Sequence, residues 1–378
     1  MVAHNRLALP DDDGCMPGST SRATGTVADR LAAQLLTGPP ARTAVDVVER
    51  LLAVQGQDPR GARLAIRART TGLSAADVDR ALSVERSLVI TWFNRGTLHL
   101  VQSEDYWWLH ALTTPPLFTA SARRLGQEGV SPAAAGVGVA VIERSLADGP
   151  RSRAQLRERI AAAGVRVEGQ ALVHILALAS LRGIAVRGPM VGGEHAYVLV
   201  RDWLGAPPPP VDRDTALARL AHRYLAGHGP ATDRDLARWA GLPLRDARRG
   251  LRAIGSELDQ RDDGLVDLAR RGSSGGLAPP RLLGAFDPLL LGWTSREPFL
   301  GAHEAALVTM NGIFRPFALV RGRAVATWGL PGKKVVLTPF ADLAPADVSA
   351  LDVDAADVER FLAGGPGAAE DSGTLKPP

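Results

Sequence analysis

Lysine is nearly missing from this chain of 378 residues. Of 44 lysines and arginines only Lys333, Lys334 and Lys376 are lysine, which leaves 41 arginines. Cysteine is reduced to Cys15, which excludes an internal disulfide and a cysteine-based zinc site. No run of about 18 uncharged apolar residues occurs, so no membrane-spanning helix is expected. The start, MVAHNRLALPDDDG, lacks the apolar stretch of a secretory signal. A soluble, cytoplasmic protein is therefore expected. The eight histidines form neither HExxH nor H-x-H spacing, and there is no GxxxxGK[ST] loop and no GxSxG nucleophile. Metal-assisted hydrolysis and acyl transfer are not expected, nor is any metal or organic cofactor.

What is present is ample core material, 46% hydrophobic, in a chain too long for one core, so several units are expected. The formal charge of +4 is carried almost wholly by guanidinium. A planar, permanently charged fork suits phosphates and base edges better than an ammonium does. A GC-rich genome gives the same bias, so composition leaves both readings open.

The periodicity implies a mainly α fold with β hairpins (α+β), built from repeated units. Residues 1–24 and 364–378 are Gly/Ser/Asp/Pro-rich and are expected to be mobile tails. In unit one (25–125), helices are expected over 26–37, 43–54 and 74–83, the last opened by a Ser74/Asp77 capping box. They precede a hairpin, LVITWFNRGTLHLV, turning at Asn94-Arg95-Gly96. Unit two (126–206) has helices over 152–164 and 168–183 and a hairpin turning at Gly192-Gly193. Unit three (211–270) ends in a hairpin about Asp262-Asp263-Gly264. Helix, helix, helix, hairpin is the winged-helix order, so three tandem winged helices are expected. From 281 to 341 the alternation is that of antiparallel strands in a small barrel or curled sheet, with a last helix closing a unit at 280–363.

Two neutral amides, Gln55 and Gln57, flank Gly56 at the end of the apolar stretch LLAVQGQDP. Taken alone, they serve as well to finish a helix by bonding backbone carbonyls. Arginine clusters offer DNA contacts: Arg60 and Arg63 behind the motif, with Arg67 and Arg69 beyond, Arg153 and Arg157 in unit two, and Arg245, Arg248 and Arg249 in unit three. Each cluster is equally a solvated helix face. Without a chemical constellation, the architecture alone describes a non-catalytic DNA-binding regulator or repair accessory protein.

Three stretches in order, LLAVQGQDP, TWFNRGTLHLV, and GAFDPLLLGWTSRE with NGIFRPFALVRGRAVATWGL, resemble the AlkZ/YcaQ-type winged-helix DNA glycosylases over residues 26–362. The resemblance implies three winged helices and a C-terminal β-barrel in a C-shaped scaffold around double-stranded DNA. It places the family's active-site Gln-x-Gln or Gln-x-Asp motif on Gln55, Gly56 and Gln57. Two glutamines place the chain closer to the AlkZ branch, which is associated with resistance to DNA-alkylating antibiotics. The middle residue departs from the usual small or aliphatic side chain, being glycine, which frees the backbone there.

Asp58, Arg95, Thr97 and His99 become candidates for active-site support, while Trp92 is read as a buried tryptophan of the wing ahead of a stacking surface. Asp287 and Arg315, in the C-terminal motifs, are expected either to form a structural ion pair or to touch DNA. The implied activity is hydrolysis of the N-glycosidic bond of cationic alkylpurines, including bulky adducts or crosslinks, by a monomer. No lysine lies near the motif, so no Schiff-base lyase step is expected.

Overall fold

The computed structural model describes residues 17–191, 193–269 and 276–364. The chain opens with α1 (Pro17–Ala33), α2 (Ala44–Leu51), β1 (Val54–Gln55), α3 (Pro59–Arg67) and α4 (Ala75–Ser83). The first hairpin is β2 (Leu88–Phe93) and β3 (Thr97–Gln102), followed by α5 (Tyr106–Thr113) and α6 (Leu117–Gln127). Next come α7 (Pro132–Ala147), α8 (Arg153–Ala162), α9 (Ala171–Leu181) and a second hairpin, β4 (Ala185–Val191) and β5 (Glu194–Leu199), with a short α10 (Val200–Leu204). The third group is α11 (Arg213–His228), α12 (Asp233–Ala240), α13 (Leu244–Ala253), β6 (Leu258–Gln260) and β7 (Val266–Leu268). The C-terminal part contains β8 (Arg281–Leu283), α14 (Glu297–Leu300), α15 (Glu304–Leu307), β9 (Phe317–Val320), β10 (Arg323–Gly329), β11 (Val336–Pro339) and α16 (Pro345–Ala363).

The mixed α and β composition and the repeated run of helices ending in a hairpin agree with the sequence. The local signals act as their chemistry dictates. Thr43 with Asp46, Ser74 with Asp77, Ser152 with Gln155 and Thr232 with Asp235 each form a capping box that satisfies the free N–H groups of a first helical turn.

Four expectations need correction. A helix begins at Pro17, inside the segment expected as a tail; the rest of both tails lies outside the described residues, as does Gly192 of the second turn. The helix expected over 43–54 stops at Leu51, because Leu52 takes a positive φ and the chain straightens into β1. A fourth helix, α3, follows at once. The C-terminal strands form an open antiparallel sheet in the order β11-β10-β9-β8, with no closed barrel among the described residues.

The first two hairpins are not separate wings. They share one sheet in the order β1-β3-β2-β4-β5, joined where Ile90 on β2 faces Arg187 on β4. The C-terminal part also packs on the first unit. Helix α3 meets the segment before the FDPLLLG stretch so closely that a Cβ on Gly61 would overlap the Ala285 carbonyl oxygen. Glycine is required there by close approach, not by backbone conformation.

Two arginines of the LAIRART stretch, Arg67 and Arg69, fasten this junction. Arg67 reaches Asp354 and Asp357 on α16 and the Leu282 carbonyl on β8. Arg69 makes a two-pronged pair with Asp287 at 2.8 and 2.9 Å, with neither side chain exposed. Asp287 therefore pairs with Arg69 and not with Arg315, which lies exposed. Arg63 turns inward to Asp79 and to Nε2 of His195. At 8% exposure it is not placed to meet a phosphate, which corrects its assignment as a DNA contact.

Candidate active site

Strand β1 is only two residues long, yet it decides where the amides go. Val54 faces Leu100 and Gln55 faces His99 on β3, and the Gly56 N–H donates to the Leu98 carbonyl at 2.7 Å. Directly opposed residues on antiparallel strands share a face. Gln55, His99 and Thr91 therefore stand in a row on one face, while Trp92, Leu98, Arg187 and Tyr197 share the other. Gly56 is buried at the sheet edge, where a Cβ would meet Ile90 at 3.4 Å, so a small side chain is sterically tolerable.

Gln55 is buried at 6% exposure and Gln57 is exposed. The Gln55 Nε2 amide donates to Oε1 of Gln57 at 2.9 Å. The inner glutamine thus aims the outer one. Because a carbonyl oxygen has two lone pairs, Gln57 keeps one acceptor site for a further ligand. Gln57 stands on the rim of a cleft of about 190 Å³, walled by Trp92, Leu98 and Tyr197 of the sheet, Val173 and Leu176 of α9, and Arg153 and Arg187. A second cleft, of about 460 Å³, adjoins it through Arg153 and also includes Arg157.

The supporting candidates have definite places. Asp58 caps α3, its Oδ1 accepting from the Gly61 N–H at 2.7 Å. This carboxylate fixes the chain direction immediately after the glutamines. Arg95, at a positive φ in the hairpin turn, donates to the carbonyls of Arg238 and Trp239 at 3.3 and 3.1 Å. It thereby ties the first hairpin to the C-terminal end of α12, where free carbonyls carry partial negative charge. The Thr97 hydroxyl donates to the Asn94 carbonyl at 3.3 Å and closes the same turn. Arg60 is exposed in the first turn of α3.

Arg245, Arg248 and Arg249 lie exposed along α13; Arg248 pairs with Asp233 and Arg249 with Asp214. None of these three lines the Gln57 cleft. Arg187 and Tyr197, which do, had no local signature in the sequence. The only signal was the alternation of IAVRGPMVGGEHAYVLV, which pairs them across the second hairpin once its register is known.

His99 is buried at 4% exposure, and its Nδ1 lies 3.0 Å from the Thr97 carbonyl oxygen. A carbonyl only accepts, so Nδ1 carries the proton and Nε2 is the bare nitrogen. Burial, reinforced by the nearby Arg95 charge, pushes the imidazole down to about 3, so it is neutral at pH 7. His195 behaves alike: burial pushes it down to about 4 while its Nδ1 meets the Gly188 carbonyl at 2.9 Å.

Unfolding releases both imidazoles to the ordinary value of about 6.5, so below that pH the unfolded chain binds protons that the folded one refuses. Stability is therefore expected to fall as pH drops from 6.5 towards 4, by up to ~1.4 kcal/mol per pH unit for each histidine. Urea midpoints at pH 7 and pH 5 measure it. His99→Gln should flatten the difference, and an undiminished acid sensitivity in that variant would assign the effect elsewhere.

A model of the AlkZ-like family, described as DNA glycosylase AlkZ-like, matches residues 48–361 of the chain. The chain belongs to the AlkZ-like DNA glycosylase family. Among relatives, it is 28% identical over 359 residues to an interstrand DNA cross-link repair glycosylase of Streptomyces sahachiroi, covering 88% of this chain and 94% of the relative. The solved structure of the Streptomyces sahachiroi DNA glycosylase AlkZ superposes with a TM-score of 0.72 at 27% identity, covering 89% of this chain and 96% of that one. This member of the family is a DNA glycosylase whose partner is DNA, and the reading as a non-catalytic regulator falls away. Among the described residues no single helix is long and apolar enough to cross a membrane.

Proposed function

We propose that this AlkZ-like glycosylase hydrolyses the N-glycosidic bond of cationic N7-alkylpurines in duplex DNA, including the bulky adducts and interstrand crosslinks left by a DNA-alkylating natural product, and so protects against that product. It works as a monomer, without metal or organic cofactor and without a lyase step. The observation that carries this reading is the amide pair, with buried Gln55 steering Gln57 at 2.9 Å on the rim of an arginine-walled cleft.

The chemistry asks little of such a pair. Glycoside hydrolysis ordinarily needs an acid for the leaving group and a base for water. An N7-alkylated guanine is already cationic. When its bond to C1′ breaks, the electron pair stays with the base, which departs neutral and unprotonated. The deoxyribose is left as an oxocarbenium ion, and water adds to C1′ and loses a proton to solvent. Catalysis then reduces to placing the water and stabilising the developing cation. The free lone pair of the Gln57 carbonyl does both, accepting from the water and turning its negative end to the sugar. The three helix-and-hairpin units act as winged helices that track the duplex, with exposed Arg60, Arg153, Arg157 and Arg245 towards its phosphates. A bulky adduct needs an open approach to Gln57 rather than a closed base pocket.

The test is incubation with duplex DNA carrying N7-methylguanine, with and without hot alkali. Strand breaks that require alkali are expected. Intact strands after alkali would refute the substrate class, and breaks without alkali would refute the absence of a lyase step.

A further inference from the structure

Two guanidinium groups stand beside Gln57, and among the described residues neither is ion-paired. The group of Arg187 lies 4.1 Å from the Tyr197 ring centre and 5.7 Å from that of Trp92. Those rings are 1% and 8% exposed, so they form a rigid floor. Nη1 of Arg187 donates to the His195 carbonyl at 3.1 Å, which fixes the plane of the fork and leaves the other donors for a ligand. Arg153, exposed at the start of α8, forms the facing wall. Among the described residues no carboxylate lines this cleft; Glu194 belongs to the adjoining one.

Such a site repels a cationic base and attracts an anion. A planar fork held over aromatic rings is suited to two-pronged binding of phosphate oxygens. We propose that the cleft beside Gln57 is a phosphate subsite in which Arg187 and Arg153 hold a backbone phosphodiester next to the lesion, while the alkylated base stays outside it. Arg187 is thus a positioning residue that sets the sugar against Gln57. This rests on the proposed function only in placing the reaction at Gln57.

The experiment measures equilibrium binding of the wild-type protein to duplexes carrying a 2′-fluoro N7-methylguanosine, which resists hydrolysis. Single flanking phosphates are replaced one at a time by neutral methylphosphonates. Wild type is expected to lose about tenfold in affinity at one or two adjacent positions. Arg187→Met should lose a similar factor on unmodified backbone, lose nothing further at those positions, and show a log Kd against log salt slope smaller by about 0.9. Arg187→Lys, keeping charge without the fork, should fall between.

Arg153→Met leaves the aromatic floor intact and should reduce the slope equally, which decides the matter if Arg187→Met does not fold. Wild-type affinity and slope in the arginine variants, or an undiminished methylphosphonate effect in Arg187→Met, would overturn the subsite. Repeating the series on undamaged duplex keeps this outcome separate from a failure of N7-methylguanine excision.

Discussion

Replacing Gln57 by alanine is expected to slow excision of N7-methylguanine in single turnover by about a hundredfold, the usual scale for losing one preorganised electrostatic group. That corresponds to roughly 2.7 kcal/mol of barrier. The effect should sit in the rate of the chemical step, because duplex affinity comes mainly from arginine contacts to phosphates. Gln55→Ala should slow the reaction less, since it removes only the donor that aims Gln57 from 2.9 Å. The double variant should be close to Gln57→Ala, because residues acting as one unit are not additive. Gln57→Glu separates geometry from charge. A carboxylate accepts the water's hydrogen bond and also attracts the oxocarbenium ion, so activity should be retained or raised. A Gln57→Ala rate within about threefold of wild type would remove Gln57 from the mechanism.

The largest stability effect is expected at Asp287, not near the amides. Asp287→Ala leaves the Arg69 guanidinium fully buried with its carboxylate gone, and it also removes the acceptor for the Leu289 N–H. Breaking a buried pair from one side typically costs ~3–5 kcal/mol. The urea midpoint should fall accordingly. Arg69→Met combined with Asp287→Leu should recover much of the loss, because no charge is then stranded. Equal losses in the single and double variants would mean that shape at this junction outweighs charge. Since the pair joins the segment just after α3 to the C-terminal part, Asp287→Ala should also disturb the amides at the other end of α3.

Much of the fold was legible because its signals are local. Ser74 with Asp77 and Asn94-Arg95-Gly96 act through backbone groups three residues away, so they operate wherever the chain goes. The amides were legible as a motif but not as a conformation. LLAVQGQ has helical spacing, yet the chain leaves the helix at Leu51, and pairing with β3, far along the chain, overrides local preference. Helix α3 went unseen because PRGARLAIR looks like a charged surface. Arg63 and Arg67 on it, and Arg69 just beyond, are buried where Asp79, Asp354 and Asp287 arrive to meet them.

The sequence by itself determined that the chain is a run of capped helices and hairpins, that its cations are almost all guanidinium, and that two neutral amides stand where carboxylates would be expected. Tertiary structure decided which cations are available for DNA. Arg63, Arg67 and Arg69 went into the core and Arg187 to the site. The physical reason is that a guanidinium tolerates burial only when acceptors meet its donors, carboxylates in the case of these three, and whether they do depends on residues elsewhere along the chain.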